Sequence, residues 1–127
     1  INSTWGGNLV DMVRCQRYLE IIEEEKLVQN AAEVGAYLLG QLEATAQKMP
    51  DLLSNARGRG LMCAIDFPDA DLRNAVADKA YELGMIILPC GHRSLRFRPP
   101  LDITRAEVDE ALTILLKAVD LSYKPGA

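Results

Sequence analysis

The residues best suited to chemistry form a short strand-like segment, Ser94-Leu95-Arg96-Phe97-Arg98. Alternate side chains of a strand point to opposite faces, so Leu95 and Phe97 share one face and Arg96 and Arg98 the other. A guanidinium held on a strand can bind a carboxylate through two parallel hydrogen bonds. The segment therefore predicts a carboxylate-binding face. A solvated sheet face without a ligand, which is the commoner arrangement, fits the same spacing.

A second candidate site is the polar segment Ser3-Thr4-Trp5-Gly6-Gly7-Asn8, which stands directly before a predicted helix. Backbone amides at a helix start, together with hydroxyl donors, can hold a phosphate group. An ordinary cap and tight turn would use the same residue types. Both interpretations stay open on the residues alone.

Other residues that could catalyse a reaction lack suitable partners. His92, the only histidine, follows Gly91 in a predicted turn, with no serine or cysteine at a fixed spacing. The five lysines fall on helix faces, at helix ends or in the tail, so none is expected to form an imine, and no catalytic residue is assigned. The three cysteines form no CxxC pair, which argues against a metal site.

Composition limits the classes of partner. The 127 residues are 49% apolar and suit one domain, and 14 Lys and Arg against 18 Asp and Glu give a net charge of −4. This balance argues against a nucleic-acid binder, and Arg57-Gly58-Arg59-Gly60 is predicted to be a turn with solvated arginines. No apolar run approaches the ~20 residues that span a bilayer, so no membrane partner is expected. Unpaired cysteines indicate a reducing, cytoplasmic location.

Hydrophobic periodicity predicts an α+β fold in which a small, largely antiparallel sheet is covered by helices on one face. Asn8 and Thr104 are expected to cap the first and last helices, the latter with Glu107 in a capping box. In chain order, the predicted elements are helices over residues 9–25 and 26–49, a strand over 61–67, a helix over 72–83, strands over 85–89 and 94–98, and a helix from 104 onward.

Three segments together resemble class III, pyridoxal-phosphate-dependent aminotransferases. Ser3-Thr4-Trp5-Gly6-Gly7-Asn8 is similar to the family's ST-aromatic-GGN segment and Arg57-Gly58-Arg59-Gly60-Leu61-Met62 to its RGxGLM segment. Leu95-Arg96-Phe97-Arg98-Pro99-Pro100-Leu101 is similar to its late strand. The segments occur in the family's order and cover essentially the whole chain. Within the family, the lysine 6-aminotransferases look most similar in three runs: Asn2 to Met12, Ile87 to Gly91 and Ser94 to Arg98.

The resemblance implies the C-terminal portion of a fold-type I enzyme, mainly its small domain. Residues 1–8 would form a cofactor-phosphate loop, residues 9–49 a helical segment leading into the small domain, and residues 50–127 the small α+β domain itself. In such enzymes the residue matching Thr4 reaches the cofactor phosphate of the other subunit of a homodimer, with Ser3 assisting. The residue matching Arg96 binds a substrate carboxylate, whereas the family pattern does not single out Arg98.

The implied activity moves the ε-amino group of L-lysine to 2-oxoglutarate, with pyridoxal 5′-phosphate as cofactor. The lysine that holds the cofactor covalently lies upstream of the ST-aromatic-GGN segment in this family. We therefore expect the 127-residue chain alone to be inactive. The alternatives are an ornithine, acetylornithine or 4-aminobutyrate aminotransferase, or a non-catalytic α+β domain that binds a small carboxylate or a protein.

Overall fold

The structure, a computed structural model, describes residues 4–123. In this range it contains four helices and four strands. Their bounds in chain order are α1 Leu9–Glu24, α2 Leu27–Lys48, β1 Ser54–Arg59, β2 Met62–Asp66, α3 Ala70–Glu82, β3 Leu88–Cys90, β4 Ser94–Phe97 and α4 Arg105–Ser122.

Side-chain caps begin the helices where the sequence predicts them. The Asn8 side chain accepts hydrogen bonds from the backbone N–H groups of Val10 and Asp11, at 2.9 and 3.3 Å, and so starts α1. Thr104 and Glu107 form a reciprocal capping box at the start of α4. Both predictions are confirmed, because these short polar side chains satisfy helix amides that have no partner within the helix.

The strands form one antiparallel sheet in the order β1-β2-β4-β3. Leu95 and Phe97 of β4 are buried, and helices α2 and α4 contribute buried apolar side chains to the same core. The α+β fold class with a small antiparallel sheet is therefore confirmed. The opposite face, which we call the open face, carries the alternate strand residues that include Arg57, Ala64 and Arg96.

The main difference from the sequence prediction is an extra strand. One strand was expected between α2 and α3, but β1 and β2 form a hairpin there. The predicted turn at Arg57–Gly60 is wrong, since Arg57 to Arg59 belong to β1 and the chain turns at Gly60, with φ +55°. An edge strand of sequence Ser-Asn-Ala-Arg-Gly-Arg has no apolar alternation, so periodicity could not detect it. The predicted strand 85–89 is also shorter and later, as β3.

Helix α1 differs from the other helices because it buries none of its residues. It packs against α2, and several of its apolar side chains, including Leu9, Val13 and Leu19, are exposed. Its polar side chains pair along the helix itself, as Arg17 does with Glu20 and Glu24. Within residues 4–123, no helix is both long and apolar enough to cross a membrane.

Candidate functional site

Arg96 lies in the middle of β4, opposite Ala64 of β2 and Leu88 of β3. Its Nε atom is buried, and no hydrogen-bond acceptor is found for it among the described residues. A buried donor without a partner costs roughly 1–3 kcal/mol. A bound carboxylate would remove this cost and would form a charge-assisted hydrogen bond as well. The geometry of Arg96 thus suits an anion-binding group.

A pocket of about 360 Å³ adjoins Arg96. Its lining is mostly apolar and comes from the segment that leads into β3, from the end of β4 and from α2 and α4; it includes Ile87, Leu88, Phe97 and Val108. Apolar walls exclude water and lower the local dielectric, which strengthens an ion pair formed there. Leu88 pairs with Arg96 and shares its face of the sheet, whereas Phe97 and Val108 belong to the helix-covered core, so the pocket is lined from both sides of the sheet. A carboxylate bound at Arg96 would have Leu88 as an apolar neighbour on the same face.

A polar cluster lies beside Arg96 on the open face. Asp66 accepts a hydrogen bond from the Ser94 hydroxyl at 2.6 Å and one from the Arg57 guanidinium at 2.7 Å. The Asn55 side-chain amide donates to its second carboxylate oxygen at 2.9 Å. Arg57 also donates to the Ser94 hydroxyl at 3.1 Å. These contacts join β1, β2 and β4, and they occupy the Arg57 guanidinium.

The environment of Asp66 fixes its charge. Burial raises the pKa of this carboxyl, but its three hydrogen bonds and the positive charge of Arg57 outweigh burial and bring the pKa down to about 2. Asp66 is therefore ionised at neutral pH. It neutralises Arg57, whereas the described residues provide no hydrogen-bond acceptor for the Nε atom of Arg96.

We expect the Asp66 cluster to stabilise the fold in a pH-dependent way. Because the folded pKa, about 2, lies below the ordinary value of 3.8, the contribution is complete above pH 4 and is lost as the pH falls towards 2. Between pH 4 and pH 2, the free energy of unfolding should therefore fall by about 2 kcal/mol more in the wild-type chain than in the Asp66→Asn variant. Urea denaturation at several pH values measures this difference. Asp51→Asn, at an exposed loop position, is the control, and identical pH curves for Asp66→Asn and wild type would contradict the prediction.

A buried arginine holds the turn between β3 and β4. Arg73 of α3 donates to the backbone carbonyls of Ser94 at 3.1 Å, Cys90 at 3.3 Å and His92 at 3.4 Å. These bonds tie the start of β4 to α3 and limit the movement of the strand that carries Arg96. Nothing in the helical pattern of residues 70–82 distinguishes Arg73 from an exposed arginine, so sequence analysis missed it.

Thr4 belongs to the turn before α1 and to none of the four strands, and it is exposed. Trp5 beside it has 74% of its surface exposed, and the Trp5 carbonyl accepts a hydrogen bond from the Asn8 backbone N–H at 3.2 Å. Ser3, the other predicted phosphate contact, lies outside the described residues. The structure therefore does not bring Thr4 and Arg96 into one hydrogen-bonded cluster within residues 4–123.

Four of the five lysines lie among the described residues, and none of these four is buried. Lys26, Lys48 and Lys117 are exposed, and Lys79 pairs with Glu82 on α3. In the part of the chain that the structure describes, no group of three His, Cys, Asp or Glu side chains could hold a metal ion.

The fold and the arginine-bearing strand identify the class of protein. The chain belongs to the class III aminotransferase family, whose pattern matches residues 1–119.

Among its relatives, the chain is 53% identical over 116 residues to the L-lysine-epsilon aminotransferase of Amycolatopsis lactamdurans, covering 91% of this chain and 26% of that enzyme. It matches a lysine aminotransferase structure from M. tuberculosis, a fold-type I enzyme, with a TM-score of 0.91 and 41% identity, over 97% of this chain and 28% of the other. It also matches an ornithine aminotransferase from Plasmodium yoelii, with a TM-score of 0.85 and 31% identity, over 97% of this chain and 33% of the other. The chain spans about a quarter of the length of the lysine enzymes it matches.

Pyridoxal phosphate is the cofactor of this family, and the described residues include a group suited to its phosphate only. The exposed hydroxyl of Thr4 can donate to a phosphate oxygen. The described lysines are exposed or, in the case of Lys79, paired with Glu82, and none of them lines the pocket beside Arg96. The fit of the described residues to the cofactor is therefore limited to the Thr4 hydroxyl group.

Proposed function

We propose that this chain is the C-terminal portion of a homodimeric, pyridoxal-phosphate-dependent aminotransferase that moves the ε-amino group of L-lysine to 2-oxoglutarate. The single observation that carries the proposal is the buried Nε atom of Arg96, which has no hydrogen-bond partner among residues 4–123 and lies beside an apolar pocket. The 53% identity to a lysine enzyme, against 36% to a 4-aminobutyrate enzyme from Caenorhabditis elegans, supports lysine as the amino donor.

In this proposal Arg96 binds a carboxylate of the substrate through its guanidinium. The bound carboxylate fixes the orientation of the substrate, and the apolar pocket keeps water away from it. Arg73 and the Asp66 cluster hold β4 in place while substrates exchange. Pyridoxal phosphate, when bound, supplies the electron sink through which the amino group is taken up and returned.

The remaining assignments complete the proposal. Thr4 contacts the cofactor phosphate of the partner subunit, with Ser3 assisting. Residues 1–8 form the phosphate loop, residues 9–49 the connecting helical segment, and residues 50–127 the small domain. The exposed position of Thr4 and the exposed apolar side chains of α1 are consistent with surfaces that other parts of the enzyme cover.

A chimaeric enzyme tests this proposal. In it, the chain replaces the matching quarter of the Amycolatopsis lactamdurans enzyme. We expect the chimaera to form glutamate from 2-oxoglutarate in a reaction that requires L-lysine. A folded, cofactor-loaded chimaera without this activity would contradict the proposal.

The isolated 127-residue chain provides the complementary test. Mixed with pyridoxal phosphate and borohydride, it should form no stoichiometric adduct at any one lysine, because exposed lysines outside a binding site are labelled only in a scattered, substoichiometric way. A single adduct of this kind, located by mass spectrometry, would overturn the expected inactivity of the chain.

A further inference from the structure

The open face carries two arginines in one row across the sheet. Arg57 of β1 lies opposite Ala64 of β2, and Ala64 lies opposite Arg96 of β4. Neighbouring strands are about 4.8 Å apart, so the Cα atoms of the two arginines are separated by roughly 10 Å. Residues directly opposite each other share a face, so the backbone positions of the two arginines are separated on this face by Ala64 alone. The Arg57 guanidinium itself extends towards Asp66 and Ser94.

The two arginines differ in their partners. The Arg57 guanidinium contacts Asp66, the Ser94 hydroxyl and the Asn55 carbonyl, at 2.7, 3.1 and 2.9 Å. Asp66 is the only carboxylate in the four described strands. Its side chain is 10% exposed, whereas that of Arg57 is 45% exposed. Arg57 is therefore an accessible cation paired at 2.7 Å with a buried carboxylate, which also lies 4.0 Å from the Nε atom of Arg93.

We infer that the Arg57–Asp66 ion pair is a specificity-determining element that tunes the anion affinity of Arg96. This inference rests on the proposed carboxylate-binding role of Arg96. While Arg57 is paired with Asp66, Arg96 is available to bind an anionic ligand and Arg57 is not. Loss of the Asp66 charge would release Arg57 as a second cation on the same face, and loss of Arg57 would leave an unbalanced anion near Arg96.

Removing the charge of Asp66 and removing the charge of Arg57 should therefore have opposite effects on the affinity for 2-oxoglutarate. Charges about one Debye length apart still change a binding constant by a modest factor. Asp66→Asn should tighten the binding of 2-oxoglutarate at Arg96 by roughly threefold to tenfold, and Arg57→Gln should weaken it by a similar factor. The double variant, which removes both charges, should return to the wild-type affinity.

The experiment is a titration of the ¹⁵N-labelled 127-residue chain with 2-oxoglutarate, following the Nε–H resonances of Arg96 and Arg57. In the wild type the Arg96 resonance should shift and that of Arg57 should not. In Asp66→Asn both should shift with one binding constant. The inference would be overturned if the two single variants changed the affinity in the same direction, or if neither changed it. A merely structural role of the ion pair predicts weaker binding in both variants.

The outcomes separate the two proposals. A wild-type Arg96 resonance that does not respond to 2-oxoglutarate contradicts the proposed carboxylate role itself. A response of Arg96 in the wild type, without opposite effects in the variants, contradicts only the role of the ion pair. If circular dichroism shows Asp66→Asn to be unfolded, Arg57→Gln and Arg57→Lys carry the test, since weakening is required in the first and an affinity close to wild type in the second, which keeps the charge.

Discussion

Gly35→Ala is expected to destabilise the chain by about 3 kcal/mol, a large effect for the addition of one methyl group. A Cβ atom at Gly35 would lie 2.2 Å from the carbonyl carbon and 2.3 Å from the carbonyl oxygen of Gly60. These are backbone atoms of the β1–β2 turn, where Gly60 has φ +55°. The backbone of a tight turn cannot move aside cheaply, so α2 would have to separate from the hairpin.

Gly40→Ala in the same helix is the matched control. A Cβ atom at Gly40 would have no neighbour within 4 Å, so the substitution should stabilise α2 by about 0.5–1 kcal/mol through helix propensity alone. Urea denaturation of the two variants measures the contrast. Equal stability changes at Gly35 and Gly40 would show that α2 does not approach the β1–β2 turn as closely as described.

Arg96→Ala is expected to lower kcat/KM for 2-oxoglutarate in the chimaeric enzyme by about 10²-fold or more. A buried, charge-assisted contact to a carboxylate contributes about 2–5 kcal/mol when one partner is removed. Arg96→Lys keeps the charge but loses the planar pair of donors, so its loss should be smaller but clear. Steady-state kinetics with varied 2-oxoglutarate measures both effects.

Arg98→Ala is the control for Arg96→Ala. Arg98 follows β4 and lines the same pocket, but it is exposed whereas the Nε atom of Arg96 is buried, so its removal should change kcat/KM less than the removal of Arg96. Similar losses at the two positions would indicate a general effect of positive charge and would contradict a specific role for Arg96.

Strong local signals made parts of the fold predictable from the sequence. The alternation of Leu95, Arg96 and Phe97 placed the arginine on the face opposite the core, as observed. The Asn8 and Thr104 caps were predictable because capping uses few residue types at fixed spacing.

The parts that could not be predicted depend on contacts between distant residues. β1 is an edge strand with almost no buried side chain, so it leaves no hydrophobic pattern. The Asp66 cluster joins residues that are 9 to 37 positions apart, and only the register of the sheet brings them together. Arg73 becomes recognisable only when the carbonyls it contacts are placed around it.

The central claim is that Arg96 binds a substrate carboxylate. The most direct measurement is the shift of the Arg96 Nε–H resonance when 2-oxoglutarate is added to the wild-type chain. We predict a saturable shift at Arg96 that a neutral analogue, the 2-oxoglutarate dimethyl ester, does not reproduce. An unchanged Arg96 resonance at saturating 2-oxoglutarate, in a folded chain, would contradict the claim.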